Sequence, residues 1–385
     1  MSKKKERHSL PTTTIHGGAA PRLPGDPVVP GIVQSVNYVQ EVGTADGLKY
    51  TRYGNTPNAD RVQKRLALLE GAEASLVLSS GMGATACALL ALLRPGDHLL
   101  ASNLIYGGTH RLLTEEFTRH GIHVTLVDPL EPRAWRRRLR KETRALFMES
   151  PVNPTCRVLD LRPISYLTKE VGLALVVDAT FASPVNFRPI EHGADVVIHS
   201  ATKYLNGHSD VLAGVVSGTE PYIQEVLQKE MVWGQTPDPM ALWLLERGLK
   251  TLDVRVRRQN ENAMVVASWC SNRKEIKRVH YPGLPDHPDH KIARALLDGF
   301  GGMLAIELGG GGKATDRFLR RLKLITHAAS LGGVESLVSE PRYSSHAAMS
   351  SEERAKIGIP DGFLRVSVGI EDAQDIIADI DQALK

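Results

Sequence analysis

The sequence has few of the features that mark several classes of protein. Only three of its 385 residues are cysteines, Cys87, Cys156 and Cys270, and their wide spacing fits neither a disulfide framework nor a zinc site. The formal charge is only +4, too small an excess to indicate nucleic-acid binding. The longest nearly apolar run, residues 84–93, is about half the 20 residues that a membrane-spanning helix needs. We therefore expect no metal, nucleic-acid or membrane partner.

Length and composition predict a globular protein of more than one unit. Hydrophobic residues make up 42% of the chain and charged residues 23%, which is typical of soluble domains. Single cores stop growing at about 250–300 residues, so 385 residues indicate at least two packed units. The first ten residues are charged and lack the apolar region of a signal peptide. With unpaired cysteines, this favours a cytoplasmic location.

Composition and hydrophobic pattern divide the chain into three parts. Residues 1–54 are rich in Pro, Gly and Thr without a period, which predicts an extended arm. From Asn58, which we expect to cap a helix that ends at Gly71, short apolar runs alternate with helix-length stretches. The candidate strands are residues 75–79, 98–102, 123–127, 145–149, 173–178 and 195–200.

Strands that alternate with helices predict an α/β domain with a mostly parallel sheet and helices on both faces. This domain would cover residues 55–248. Beyond it we expect a helix over 252–270, a strand at 303–308 and a final strand and helix, which indicate a smaller α+β domain over 249–385. Ligands bind at the carboxyl ends of parallel strands, so chemistry is expected just after each strand.

The first strand is followed by residues 79–84 (SSGMGA), where small residues open a helix. Such a junction exposes backbone N–H groups to an anion such as phosphate. With Ala86 the stretch also matches a dinucleotide fingerprint, but the next strand ends in Ser102 and Asn103 without the acid that would hold a ribose. A phosphate without a nucleoside fits better, and a plain tight turn is the simplest alternative.

One later strand ends in Asp178. The next strand is followed by a loop that contains Lys203, 25 residues after Asp178. A lysine at the end of a buried strand can lose solvent and act as a nucleophilic amine. A lysine that binds the cofactor covalently, with an aspartate for the ring nitrogen, is the pattern of pyridoxal phosphate chemistry. Ser200 and Lys203 also fit the S-x-x-K motif of penicillin-recognising enzymes, but the S-D-N and K-T-G partners of that motif are absent.

Together these motifs resemble the cysteine/methionine-metabolism (trans-sulfuration) family of pyridoxal-phosphate enzymes, which includes cystathionine γ-lyase, cystathionine γ-synthase and methionine γ-lyase. The matching stretches follow in order along the chain: residues 50–57 (YTRYGNTP), 79–84 (SSGMGA), 106–109 (YGGT), 149–155 (ESPVNPT), 177–180 (VDAT), 199–204 (HSATKY), 247–252 (RGLKTL), 330–336 (SLGGVES) and 365–372 (RVSVGIED). The resemblance covers nearly the whole chain and implies the type I fold of pyridoxal-phosphate-dependent transferases.

The resemblance implies roles for individual residues around pyridoxal 5'-phosphate. Lys203 would hold the cofactor covalently, Asp178 would keep its ring nitrogen protonated, Tyr106 would stack on the ring and Asn153 would contact the ring oxygen. The phosphate would be held by a group of backbone N–H and hydroxyl donors, those of Gly81, Met82, Ser200 and Thr202.

The resemblance also implies a substrate site and an assembly. Arg365 would clamp the substrate carboxylate, Ser330 would orient Lys203, and Glu335 would contact the substrate. Tyr50 and Arg52 would reach the phosphate of a neighbouring subunit. This implies a homo-oligomer with shared sites, a dimer or a homotetramer.

The expected reaction is γ-elimination on a sulfur amino acid such as cystathionine or methionine, giving 2-oxobutanoate, ammonia and a thiol. Tyr106 and Lys203 are the candidate acid–base pair. Methionine γ-lyases often have Tyr-Gly-Cys where this chain has Tyr106, Gly107 and Gly108, which weakens a strict methionine-lyase assignment. The alternatives are γ-replacement, by a cystathionine γ-synthase or a homoserine-ester sulfhydrylase, and β-elimination by a cystathionine β-lyase.

Overall fold

The computed structural model describes residues 8–19, 21, 23–344, 347 and 350–385. The first sheet contains β1 (Ala74–Leu78), β2 (His98–Ser102), β3 (His123–Val127), β4 (Thr143–Glu149), β5 (Ala174–Asp178), β6 (Val196–Ser200) and β7 (Gly214–Gly218). The second contains β8 (Ile276–His280), β9 (Met303–Leu308), β10 (Thr326–His327), β11 (Leu337–Ser339) and β12 (Phe363–Ser367).

The helices pack around these two sheets. They are α1 (Leu10–His16), α2 (Pro57–Glu70), α3 (Gly81–Leu92), α4 (Gly107–Arg111), α5 (Phe117–Arg119), α6 (Pro132–Arg137), α7 (Arg162–Val171), α8 (Ser183–Asn186), α9 (Glu220–Trp233), α10 (Pro239–Leu249), α11 (Leu252–Cys270), α12 (His290–Leu296), α13 (Gly311–Arg321), α14 (Ser351–Lys356) and α15 (Ala373–Leu384). A π-helical turn, Leu112–Glu116, joins α4 to α5, and 3-10 turns lie at Thr51–Tyr53, Pro189–His192 and Pro341–Tyr343.

The first sheet has the strand order β1-β7-β6-β5-β4-β2-β3. The pairs from β3 to β6 are parallel, whereas β7 runs antiparallel to both β6 and β1. The α/β prediction is therefore confirmed, and all six predicted strands are present. The sequence analysis missed β7, because it follows β6 with no helix between them. This topology brings the carboxyl ends of β1, β4, β5 and β6 to one edge.

Two apolar layers cover the faces of this sheet. On one face α3 and α9 bury a cluster that includes Leu89 and Phe147, and on the other α6 and α7 bury one that includes Trp135 and Leu146. Phe147 and Leu146 are neighbours on β4, so alternate side chains of one strand serve opposite faces. Burial on both faces explains why the strands are continuous apolar runs.

Helix α2 begins two residues earlier than a cap at Asn58 implies, and Asn58 is not its cap. The helix starts at Pro57 after Thr56 and ends at Gly71, whose φ of 71° is the left-handed conformation that glycine adopts readily. Asn58 lies buried inside the first turn. Its Oδ1 accepts the N–H of Val33 at 2.9 Å, and its Nδ2 donates to the carbonyl of Gly31 at 3.2 Å. The cap prediction was wrong because this amide holds the arm instead.

The second sheet has the order β10-β11-β12-β9-β8 and packs against α11 and α15 around a separate apolar cluster. Its pairs are antiparallel except β10 with β11. The predicted helix over 252–270 and strand over 303–308 are confirmed. Division of the chain after residues 54 and 248 stays a prediction.

The arm is not extended throughout, because α1 forms within it and packs on α2. Seven residues are too few to show a helical period in the sequence. Between residues 23 and 50 the described backbone forms one isolated bridge, Asn37 with Tyr50, and has many exposed apolar side chains. The other part of the predicted arm, residues 1–7, 20 and 22, lies outside the described residues.

Candidate active site

A cavity of about 620 Å³ opens at the carboxyl edge of the first sheet and is closed on one side by the second sheet. Ten of the thirteen residues singled out from the sequence line it: Gly81, Met82, Tyr106, Asn153, Asp178, Ser200, Thr202, Lys203, Ser330 and Arg365. The fold thus brings together residues that are up to 284 positions apart in the sequence, from Gly81 to Arg365.

The amino terminus of α3 forms a cradle for an anion. Ser80 caps the helix by accepting the N–H of Gly83 at 3.0 Å, so the N–H groups of Gly81 and Met82 are left at the helix terminus. A Cβ on Gly81 would lie 2.7 Å from the Cβ of Ser200, so glycine is required for this close approach. The cradle fits a phosphate group.

Lys203 follows β6 and reaches the middle of the cavity. Its Nζ donates to Ser330 Oγ at 2.9 Å. Burial, with a smaller contribution from the positive charge of Arg365, lowers the pKa of Lys203 from 10.5 to about 8. Near neutral pH a useful fraction of this amine is uncharged, which is the form that a nucleophilic lysine requires. Ser330 holds this contact with a φ of 82°, a left-handed conformation that costs a non-glycine residue energy.

Arg365 lies on β12, at the wall opposite the first sheet, and is buried. One terminal nitrogen donates to the carbonyl of Ser330 at 2.7 Å and the other to Asn153 Oδ1 at 3.1 Å. Its Nε is buried and has no hydrogen-bond partner among the described residues. Burial lowers the pKa of this guanidinium. A buried cation without a carboxylate partner is costly, so the site is suited to an anionic ligand.

Two acids end adjacent strands beneath the cavity. Glu149 and Asp178 are register partners at the ends of β4 and β5. Asp178 Oδ1 accepts the N–H of Thr180 at 2.9 Å, and burial raises the pKa of Asp178. Burial and the charge of Asp178 raise the pKa of Glu149 to about 8. A nearby cation, such as a protonated ring nitrogen, would stabilise the charged form of Asp178 and lower its pKa again.

Glu149 was missed as a functional residue by the sequence analysis. It ends a predicted strand beside the strand of Asp178 and occurs in the ESPVNPT motif, and both signals point to the cavity. Its oxygens accept two backbone N–H groups, from Tyr106 and Asn153.

Three residues singled out from the sequence lie away from the cavity of their own chain. Arg52 is exposed, donates to the carbonyl of Met231 at 3.3 Å and lies 5.7 Å from the ring centroid of Tyr50. Glu335 is also exposed. Within one chain, therefore, the cavity is built without Tyr50, Arg52 and Glu335.

The residues present fit pyridoxal 5'-phosphate. The cradle at α3 fits its phosphate, Lys203 its aldehyde and Asp178 its ring nitrogen. Arg365, with an unpartnered Nε, fits the carboxylate of an amino-acid substrate. Among the described residues no group of three or more His, Cys, Asp or Glu could hold a metal ion, and no helix is long and apolar enough to cross a membrane.

Comparison with known proteins identifies the same class. Residues 11–385 match the family model described as Cys/Met metabolism PLP-dependent enzyme. An L-methionine gamma-lyase of Porphyromonas gingivalis is 38% identical, with 99% of each chain covered. A cystathionine gamma-lyase of Bacillus subtilis is 39% identical over 97% of this chain and 98% of its own. The crystal structure of a cystathionine gamma synthase from Xanthomonas oryzae pv. oryzae, in complex with aminoacrylate and cysteine, has a TM-score of 0.93 at 38% identity and covers 98% of both chains.

Fold and site define an enzyme that uses pyridoxal phosphate on an amino acid. The chain belongs to the Cys/Met metabolism family of PLP-dependent enzymes. The family and cofactor predictions are confirmed.

Proposed function

We propose that the protein is a carbon–sulfur lyase that acts on a sulfur amino acid by γ-elimination. Cystathionine or methionine would give 2-oxobutanoate, ammonia and a thiol. The observation that carries the proposal is the contact of Lys203 Nζ with Ser330, whose carbonyl also holds Arg365. A proton-accepting amine and a carboxylate-binding guanidinium are thus fixed to the same residue.

The bound cofactor supplies an electron sink for the substrate. The protein residues bind and orient the substrate and move protons. Arg365 binds the α-carboxylate through a planar pair of N–H donors. Asp178 would pair with the protonated ring nitrogen, and Tyr106 would stack on the ring.

Lys203 is the proposed base for the α-proton. Its lowered pKa of about 8 leaves the amine partly uncharged near neutral pH, and a base with a pKa near the working pH is efficient. Ser330 Oγ, which accepts a hydrogen bond from Nζ, directs the amine. Tyr106 is the proposed second acid–base group.

A second function, γ-replacement on an activated homoserine, is favoured by one observation. The Xanthomonas oryzae cystathionine gamma synthase has nearly the same fold, with a TM-score of 0.93. Elimination and replacement share the early proton transfers and differ in whether water or a thiol completes the reaction. β-Elimination, which cleaves the other carbon–sulfur bond of cystathionine, is the third possibility.

The assembly that we propose is a homo-oligomer with shared sites, a dimer or a homotetramer of two such dimers. Exposed apolar side chains on the arm, together with the exposed position of Arg52, support it. Each arm would bring Tyr50 and Arg52 to the cofactor phosphate of its neighbour. Three buried free thiols support a cytoplasmic location.

Product analysis tests the reaction. The purified protein is incubated with cystathionine, with methionine, and with an acyl-homoserine plus cysteine, and a Lys203→Ala variant is the matched control. Cysteine and 2-oxobutanoate from cystathionine support γ-elimination. Pyruvate and homocysteine would show β-elimination, and cystathionine made from the acyl-homoserine would show γ-replacement.

A further inference from the structure

We propose that Glu149 is a positioning residue that holds Tyr106 and Asn153 at a fixed separation and, through Asn153, aims Arg365 at the substrate. This inference rests on the proposed function, because it assigns a task to Glu149 within the same site. Glu149 is buried beneath the cavity, at the end of β4.

The carboxylate of Glu149 makes two separate contacts. Its Oε2 accepts the N–H of Tyr106 at 2.7 Å, and its Oε1 accepts the N–H of Asn153 at 2.8 Å. Tyr106 immediately precedes α4, 43 residues away, and Asn153 lies in the loop after β4. One side chain therefore ties together two loops that the sequence leaves independent.

The contacts continue from Asn153 to the second sheet. Asn153 Oδ1 accepts a hydrogen bond from Arg365 at 3.1 Å, and Arg365 also donates to the carbonyl of Ser330. The order of contacts is Tyr106, Glu149, Asn153 and Arg365. A shift at Glu149 would therefore move both Tyr106 and Arg365, the residue proposed to bind the carboxylate.

The geometry requires a carboxylate of this length. In glutamine one oxygen would be replaced by an NH₂ donor, which would face an N–H group and could not accept from it. Aspartate keeps both carboxyl oxygens but is one methylene shorter, so it cannot reach both N–H groups from the same backbone. A role that needs only a carboxyl group and a role that needs its two-point reach therefore make different predictions for these two variants.

Amide hydrogen exchange of the full-length protein, with and without pyridoxal phosphate, tests the contacts without using activity. In Glu149→Gln we expect exchange in the peptides that contain Tyr106 and Asn153 to rise by about tenfold or more. Asp379→Asn is the matched control, because Asp379 is a buried carboxylate that accepts backbone N–H groups of Lys323, Leu324 and Ile325. It should change exchange at those residues only. Unchanged protection in Glu149→Gln would overturn the proposal.

Kinetics with the substrate found by product analysis test the consequence. We expect kcat/KM to fall by about 10- to 100-fold in Glu149→Gln, with a raised KM and altered circular dichroism of the bound cofactor. Glu149→Asp should not restore activity. The double variant Glu149→Gln with Asn153→Ala should lose less than the product of the single losses, because both act on one series of contacts.

Two kinetic results would overturn the proposal. Wild-type kcat/KM in Glu149→Asp would show that any carboxyl group at this position is sufficient, and strictly multiplicative losses would show that Glu149 and Asn153 act independently. Should the wild type convert none of the tested amino acids, the proposed function fails, while amide exchange still decides the role of Glu149.

Discussion

The cavity and the arm differ in how far their side chains are buried and hydrogen-bonded by their own chain. In the cavity Lys203 and Arg365 are held by hydrogen bonds that join the two sheets. In the arm Val39 and Val42 are fully exposed, at 102% and 99% of their reference surface. The cavity is thus stabilised within the chain, whereas Val39 and Val42 would be buried only by contact with another molecule.

The base of the arm is nevertheless fixed in direction. Trp243 Nε1 donates to the carbonyl of Pro30 at 2.8 Å, and Gln34 Nε2 donates to Asp238 at 3.1 Å. With the contacts of Asn58, these bonds hold residues 30–34 against α2 and α10. The difference between the regions supports the proposal that the arm contacts a second copy of the chain.

The largest expected effect tests the cavity. Lys203→Ala should lower kcat by about 10⁴-fold or more, because both the covalent anchor and the base are removed. In the wild type, borohydride reduction followed by tryptic mapping should find the pyridoxyl group on Lys203. Finding the pyridoxyl group on another lysine would show that Lys203 does not bind the cofactor covalently.

The next effect also concerns the cavity. Arg365→Ala should lower kcat/KM, with a loss of transition-state stabilisation of about 2–5 kcal/mol, because a charge-assisted partner of the substrate carboxylate is lost. Cofactor absorbance should stay intact, and Arg365→Lys should recover only part, since an ammonium cannot make the planar two-point contact. A loss within about twofold would show that Arg365 does not bind the carboxylate.

A smaller effect tests the arm. Val39→Ser and Val42→Ser should each weaken subunit association by about 100-fold, because burial of a valine contributes about 1.5 kcal/mol or more and a symmetric dimer carries each substitution twice. Sedimentation over a dilution series measures it. Leu130→Ser, at an exposed apolar position before α6, should leave association unchanged. Equal association in all three variants would show that the arm is not an interface.

The smallest effect is the pH dependence of the stability of the cofactor-free protein. The pKa of Lys203 is about 8 in the folded chain against an ordinary 10.5, so the unfolded chain binds this proton more tightly. Stability therefore rises with pH between these values. The destabilisation that comes from burying the charged Lys203 is fully present below pH 8. The stability gained by Lys203→Met should be largest below pH 8 and shrink towards pH 10.5, as measured by urea unfolding. A gain that is independent of pH would contradict the lowered pKa.

Much of the fold was predictable because its signals are local. Continuous apolar runs marked the parallel strands, and Asp178 and Lys203 follow two of those strands directly. The second sheet was only partly predicted, because its strands are short and its antiparallel pairs join residues distant in sequence, such as Arg365 opposite Ala305.

The parts of the site that escaped prediction depend on contacts between distant segments. Glu149 acts on Tyr106, which lies 43 residues away, and no spacing rule connects the two. Asn58 looked like a helix cap, but tertiary contacts with the arm determine its role. The positive φ of Ser330 has no sequence signal, since such a conformation in a non-glycine residue depends on its surroundings.

Hybrid oligomers test most directly whether the arm completes a neighbour's cavity. Arg52→Ala and Lys203→Ala subunits, each inactive alone, are dissociated, mixed in equal amounts and reassembled. Half of the dimers should be hybrids with one intact site, so activity should return to about a quarter of the wild-type value. Hybrids that form but stay inactive, or a fully active monomer, would contradict the account.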